Sequence, residues 1–170
     1  MENFSSPVPY LTFMLGGEYF ACRIEEVVEV IDMQKVTSVP KTPPHICGVI
    51  NFRGDILPLI DIRKVCSSDG HAANGADTQT ESPAEDSGIS KESVIIVLEI
   101  SGGEEDGDTL TAGALADCVN DVVEIKPVDI VPIPEFDTKI KPEYTEGLFK
   151  YNGAFVTVLN MPAVFSLDKN

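Results

Sequence analysis

Asp61 and Asp117 each stand inside an apolar run of this 170-residue sequence. A carboxylate in such a setting is a candidate perturbed acid or base. Glu25-Glu26 offers a second pair, although neighbouring acids on a short element are ordinarily solvated. The other arrangements that carry catalysis are missing. There is no Ser/His/Asp order, no phosphate-binding glycine loop, no G-x-G-x-x-G and no H-E-x-x-H. Cys22, Cys47, Cys66 and Cys118 are widely spaced, without a CxxC pair, and the histidines are only His45 and His71. Zinc sites use closely spaced ligand pairs, so the cysteines read as small core fillers, and neither metal nor organic cofactor is expected. One basic residue stands apart. Arg53 lies at the centre of GVINFRGDILPLIDIR, residues 48–63, between two apolar runs that read as a β-hairpin. The match of Arg53-Gly54-Asp55 to a cell-adhesion tripeptide is read as coincidence in so acidic a chain.

The elements that must position these residues occur twice. Residues 48–65, GVINFRGDILPLIDIRKV, overlay 147–164, GLFKYNGAFVTVLNMPAV, without a gap. Gly48 falls on Gly147, Gly54 on Gly153, Ile60 on Leu159 and Asp61 on Asn160. Upstream, Val27-Val28-Glu29-Val30 resembles Val122-Val123-Glu124-Ile125, and residues 36–40 resemble 128–132. Three matches in one order indicate a duplicated unit. The match of Asp61 to Asn160 also favours a structural hydrogen-bonding role for Asp61 over catalysis.

Each copy reads as short strands. Leu11, Phe13 and Leu15 alternate with Thr12 and Met14, and Gly16-Gly17 turns the chain into residues 18–24. Residues 24–31 fit a strand entered through one helical turn, because the matching run 122–125 meets Lys126-Pro127 too soon for a helix. Pro58 cannot donate to a ladder, so residues 56–62 belong at an edge or carry a break. The second copy repeats the order with 93–100, 110–119, 121–125, 147–151 and 154–161, and a short helix starts at Pro162. The expected fold is all-β, two small barrels sharing an apolar interface, since a unit of about 60 residues is marginal alone. One domain over 8–166 divides into a first barrel at 10–66, a disordered insert at 67–92 and a second barrel at 93–166. The insert holds a single large aliphatic residue, Ile89.

The net charge of −16 argues against nucleic acid. Nine of those charges sit in residues 67–92 and 102–108, read as solvated loops rather than a docking tail. No run of about 18 apolar residues is present, and the first residues resemble no signal peptide, so a cytoplasmic protein without membrane insertion is expected. The duplication serves as an internal control for Arg53. Its counterpart is Asn152, in an Asn-Gly turn, so the hairpin does not need arginine to turn. An arginine beside an apolar sheet points to recognition, because arginine is enriched at interface hot spots.

Leu11-Thr12-Phe13-Met14-Leu15-Gly16, Val27-Val28-Glu29-Val30-Ile31, Val39-Pro40 and the pattern Asn51-x-Arg53-Gly54…Leu57-Pro58-Leu59-Ile60-Asp61-Ile62-Arg63 resemble the CheW family of bacterial chemotaxis coupling proteins. The likeness continues through 94–99, 113–122 and 130–134 and spans residues 10–166. It implies two packed five-stranded SH3-like barrels with no chemistry of their own. The implied partners are the cytoplasmic tips of methyl-accepting chemoreceptors and the regulatory domain of the histidine kinase CheA. Carried over by position, Val27, Glu29, Arg53, Ile95 and Gly113 match places of receptor contact, and Ile24, Val30 and Gly48 are assigned to the kinase face. The length of the chain disfavours the CheV and CheA variants of the module. The long acidic insert departs from the family pattern. The alternative from another class is a small-molecule-binding or enzymatic barrel that uses the inter-barrel cleft through Asp61 or Asp117.

Overall fold

In the computed structural model, which describes residues 6–66, 92–101, 107, 109–134 and 141–165, strands dominate. Their order is β1 (Val8–Leu15), β2 (Glu18–Arg23), β3 (Val27–Asp32), β4 (Ile46–Phe52), β5 (Asp55–Ile60), α1 (Ile62–Cys66), β6 (Val94–Ser101), β7 (Thr109–Ala116), β8 (Cys118–Ile125), β9 (Thr145–Tyr151), β10 (Ala154–Leu159) and α2 (Met161–Phe165). A 3₁₀ turn at Ile24–Glu26 leads into β3, which is the helical entry expected there. Apart from Glu92, the insert expected at 67–92 lies outside the described residues.

The strands form two five-stranded sheets, β8-β1-β2-β10-β9 and β3-β6-β7-β5-β4. This differs from a first barrel at 10–66 and a second at 93–166. Each sheet takes its opening hairpin from one half of the sequence and its other three strands from the other half. Hairpin β1–β2 pairs with β8 and β10, while β6–β7 pairs with β3 and β5. The exchange fits the energetics, because neither half can complete a sheet without the other.

The duplication holds in space. Leu59 pairs in parallel with Gly113, and its counterpart Val158 pairs in parallel with Ala21. Hairpin β1–β2 is therefore the counterpart of β6–β7. One part of the sequence overlay is corrected. Val27 faces Leu98 and Val30 faces Ile96, whereas Val119 faces Phe13 and Val122 faces Leu11. Both ladders carry an irregularity between those pairs. The counterparts of Val27-Val28-Glu29-Val30 are thus Val119-Asn120-Asp121-Val122, and Glu29 corresponds to Asp121 rather than Glu124. Likewise Thr37 bridges Val49 where Val131 bridges Leu148, so Thr37 matches Val131.

Alternation along the strands feeds two apolar clusters. Leu11, Phe13, Leu15, Phe20 and Cys22 join residues of the other sheet, such as Ile95, Leu98 and Leu115, in the larger, shared core. Tyr10, Ala21, Val123, Phe149, Val156 and Val158 fill a smaller core on the opposite face of the first sheet. Pro58 sits inside the sheet, between β4 and β7, yet breaks no ladder. Val49, opposite it, directs its N–H and C=O to Thr37, and pairing with β7 begins only at Leu59. Two glycines are fixed by close approach. A Cβ on Gly48 would lie 2.5 Å from the Thr37 carbonyl oxygen, and one on Gly147 would lie 2.5 Å from that of Val131.

Candidate functional site

The hairpin β4–β5 turns at Arg53-Gly54 with φ of +51° and +87°, and its sister β9–β10 turns at Asn152-Gly153 with φ of +50° and +81°. Both are type I′ geometries, and the Gly54 N–H donates to Asn51 Oδ1 at 3.3 Å. Asn tolerates the left-handed region, whereas a long side chain such as Arg is unusual there. Backbone strain of this kind marks functional positions. The Arg53 guanidinium donates from Nη2 to Glu29 Oε2 at 2.6 Å and lies 4.9 Å over the Phe52 ring. Glu29 is on β3 and Arg53 on the β4–β5 turn, and β3 and β4 are the two edges of their sheet. The pair therefore crosses the seam where the sheet closes on itself. The Thr37–Val49 bridge and the Gln34 Nε2–Asn51 carbonyl hydrogen bond at 2.7 Å cross the same seam.

Exposed apolar side chains lie beside Arg53: Ile56 is 71% exposed and Val28 44%. A groove beside them is lined by Val28, Phe52, Arg53, Ile56, Glu99 and Thr111. Sequence reasoning missed Val28, Phe52 and Ile56. The available signal was their place beside Arg53 in the hairpin and beside Glu29 in β3.

The residues assigned to receptor contact divide. Glu29 and Arg53 meet at the surface, and half-buried Val27 packs against the shared core beneath them. Ile95 is fully buried, and Gly113 is buried where an added Cβ would come within 2.9 Å of Ile95 Cγ2. These two pack against each other and shape the sheet under the site, so they present no contact surface. Of the residues assigned to the kinase face, Val30 is exposed and adjoins Glu29. Ile24 is half-buried against the shared core, and Gly48 lies under Thr37.

The carboxylates offered for the alternative, an enzymatic cleft, are occupied by structural bonds. Asp61 is 1% exposed. Its Oδ1 accepts from the Arg63 backbone N–H at 3.0 Å and from Nε at 3.1 Å, and Oδ2 accepts from Nη2 at 3.0 Å. Asn160 caps α2 in the same way, its Oδ1 accepting from the Ala163 N–H at 3.3 Å. Asp61 and Asn160 also donate their backbone N–H to the equivalent carbonyls of His45 and Tyr144. Asp117 Oδ2 accepts from the Gly16 N–H at 2.8 Å. Burial pushes the Cys22 thiol up to about 12 and raises Cys47 as well, which leaves both as unreactive thiols. Cys118 is exposed and so differs from the core role expected of the cysteines. Among the described residues no group of three His, Cys, Asp or Glu is placed to hold a metal ion.

Away from the seam, Arg23 Nη2 pairs with Glu146 Oε1 at 3.1 Å, and Arg23 Nη1 lies 3.8 Å from Glu25 Oε1. Glu26, half-buried beside them, is raised to about 7, first by burial and then by Glu146 and Glu25, with Arg23 opposing. Among the described residues no helix is long and apolar enough to cross a membrane.

Two interlocked five-stranded sheets, with carboxylates held in structural bonds and an arginine strained at a sheet seam, define an all-β double-barrel protein. The chain belongs to the CheW-like domain family, whose model matches residues 9–169. It is 30% identical over 160 residues to the chemotaxis protein CheW of Klebsiella aerogenes, covering 94% of this chain and 82% of that protein. It is 29% identical over 159 residues to the chemotaxis protein CheW of Bacillus subtilis, covering 94% and 86%. The crystal structure of the scaffolding protein TtCheW from Thermoanaerobacter tengcongensis superposes with a TM-score of 0.70 at 30% identity, over 94% of this chain and 88% of that one.

Proposed function

We propose that this protein is a non-enzymatic, cytoplasmic adaptor that couples chemoreceptor tips to the regulatory domain of the histidine kinase CheA in chemotaxis-type signalling. Its family supports that role, and its relatives are chemotaxis and scaffolding proteins. The receptor face is the seam carrying Val27, Glu29 and Arg53, flanked by Val28 and Ile56. Ile95 and Gly113 act beneath it by setting its shape. The kinase face includes Val30 and the Ile24 turn, with Gly48 holding the adjoining segment in place. The observation that carries this reading is Arg53 itself. It occupies a left-handed turn position that the sister hairpin fills with Asn152, and its guanidinium is held at the surface by Glu29 and Phe52. Strain retained at one hairpin and absent from its duplicate calls for a function that Arg supplies and Asn does not.

The test is titration of Arg53→Glu against a receptor signalling fragment and, separately, the kinase regulatory domain, with circular dichroism as the folding control. Loss of an interface arginine costs about 2 kcal/mol, near thirtyfold in affinity. Receptor binding should fall by that order and kinase binding far less. The double swap Glu29→Arg with Arg53→Glu should recover only part of the loss, because an exposed pair contributes about 0.2–1 kcal/mol. Unchanged receptor affinity in Arg53→Glu would remove Arg53 from the interface.

A further inference from the structure

The sister of the Glu29–Arg53 seam lies between β8 and the β9–β10 hairpin, at the two edges of the first sheet. Its main parts have counterparts there. Asp121 replaces Glu29, Tyr151 replaces Phe52, Asn120 replaces Val28 and Val156 replaces Leu57. Asn152 stands where Arg53 would be. Beside it lies a cavity of about 210 Å³, the counterpart of the groove at Arg53, lined by Asp121, Tyr151, Asn152, Asn120, Tyr19 and Thr12, among others. Thr12, 2% exposed, fixes the Asp121 backbone from below. Its Oγ1 donates to the Asp121 carbonyl at 2.7 Å and accepts from the Asp121 N–H at 3.0 Å. No described residue pairs with the Asp121 carboxylate.

We propose that this cavity is a receptor for an arginine side chain supplied by a partner protein. The first seam shows in cis what the second would take in trans: a guanidinium paired to a carboxylate and laid over an aromatic ring. Asp121 and Tyr151 present that carboxylate and that ring, and Tyr19 adds a second ring to the wall. The net charge of −16 favours a cationic visitor at long range. A second copy of this chain is a poor source. Its three arginines, Arg23, Arg53 and Arg63, are each already paired with a carboxylate of their own chain. The inference stands apart from the receptor face, since it concerns the opposite sheet and different residues.

The experiment is a ¹H–¹⁵N NMR titration of the full chain with N-acetyl-argininamide, with N-acetyl-citrullinamide as the neutral isostere. The arginine probe should give saturable shifts centred on Asn120, Asp121, Tyr151 and Asn152. The citrulline probe should bind at least fivefold more weakly. Asp121→Asn should weaken the arginine response by a similar factor, and Asn152→Arg, which restores the arginine in cis, should abolish it. Native spectra elsewhere in both variants establish that the fold is kept. No saturable shift, or equal responses to the two probes, would overturn the proposal. Concentration-dependent self-association that Asn152→Arg suppresses would assign the cavity to a second copy and overturn it equally.

Discussion

Arg53 and Glu29 join the two edges of one sheet through a 2.6 Å contact, while their counterparts Asn152 and Asp121 leave the equivalent edges of the other sheet unbridged by an ion pair. The two halves of the fold share a backbone plan and differ in what closes the seam. Arginine at φ +51° bears strain that asparagine relieves. Replacing Arg53 with Asn, as the sister hairpin has it, should leave stability within about 0.5 kcal/mol or raise it, since the lost pair is exposed. Receptor affinity should nevertheless fall, and chemical denaturation run beside the titration would separate the two effects. A loss above about 2 kcal/mol in stability would make the pair structural.

The glycines at the two bridges offer a matched test of the duplication. Gly48→Ala and Gly147→Ala each push a Cβ to within 2.5 Å of a backbone carbonyl oxygen. Overpacking of this kind costs about 1–3 kcal/mol, with further strain from the positive φ. The two variants should lose similar stability in urea melts. A neutral result at either site would mean that the neighbouring segment relaxes away.

Asp61 and Asn160 predict a graded pair of substitutions. Asp61→Asn keeps an oxygen to accept from the Arg63 N–H, as Asn160 accepts from Ala163, and should cost about 1 kcal/mol. Asp61→Ala leaves the Arg63 guanidinium without its carboxylate and should cost about 2–3 kcal/mol, near the lower limit for a broken buried pair because Arg63 is partly exposed. Thermal denaturation of both variants decides it, and equal losses would show that the charge contributes nothing.

Glu26 gives the pH dependence a definite sign. Burial pushes its carboxyl up to about 7 in the fold from an ordinary value of 4.5. Between those values the unfolded chain has released the proton and the folded chain still holds it, so rising pH favours unfolding. The stabilisation is complete below about 4.5 and is lost as pH passes through about 7. Glu26→Gln should remove this slope. It should raise the melting temperature at pH 8, by an amount worth about 1 kcal/mol after solvent screening, and leave it unchanged at pH 4. A variant with the wild-type pH profile would place the titration elsewhere.

The sequence carried the strand pattern, the gapless hairpin repeat and the structural character of Asp61, because those depend on local alternation, turn residues and one matched capping position. Two things were hidden. Val-Val-Glu occurs in both β3 and β8, so residue identity alone slid the second copy out of register. The irregularity opposite Thr12 sets the true register, and there the counterpart of Glu29 proves to be Asp121. The exchange of hairpins was hidden for a related reason. β1–β2 and β6–β7 are equivalent units, and nothing in their alternation tells a hairpin which half to join. Arg53 was legible from the hairpin and its contrast with Asn152, whereas Glu29 was singled out only through the family resemblance. The burial of Ile95 and Gly113 was not, because a site residue and its support look alike in a run such as Val94–Ser101.

The proposed adaptor role requires this chain to hold two partners at once. The direct measurement is size-exclusion chromatography of a receptor signalling fragment mixed with the kinase regulatory domain, run with and without this protein. All three should elute together when the protein is added, and receptor and kinase domain should elute apart when it is omitted. Elution of the kinase domain at its free position whether or not the protein is present would overturn the adaptor role.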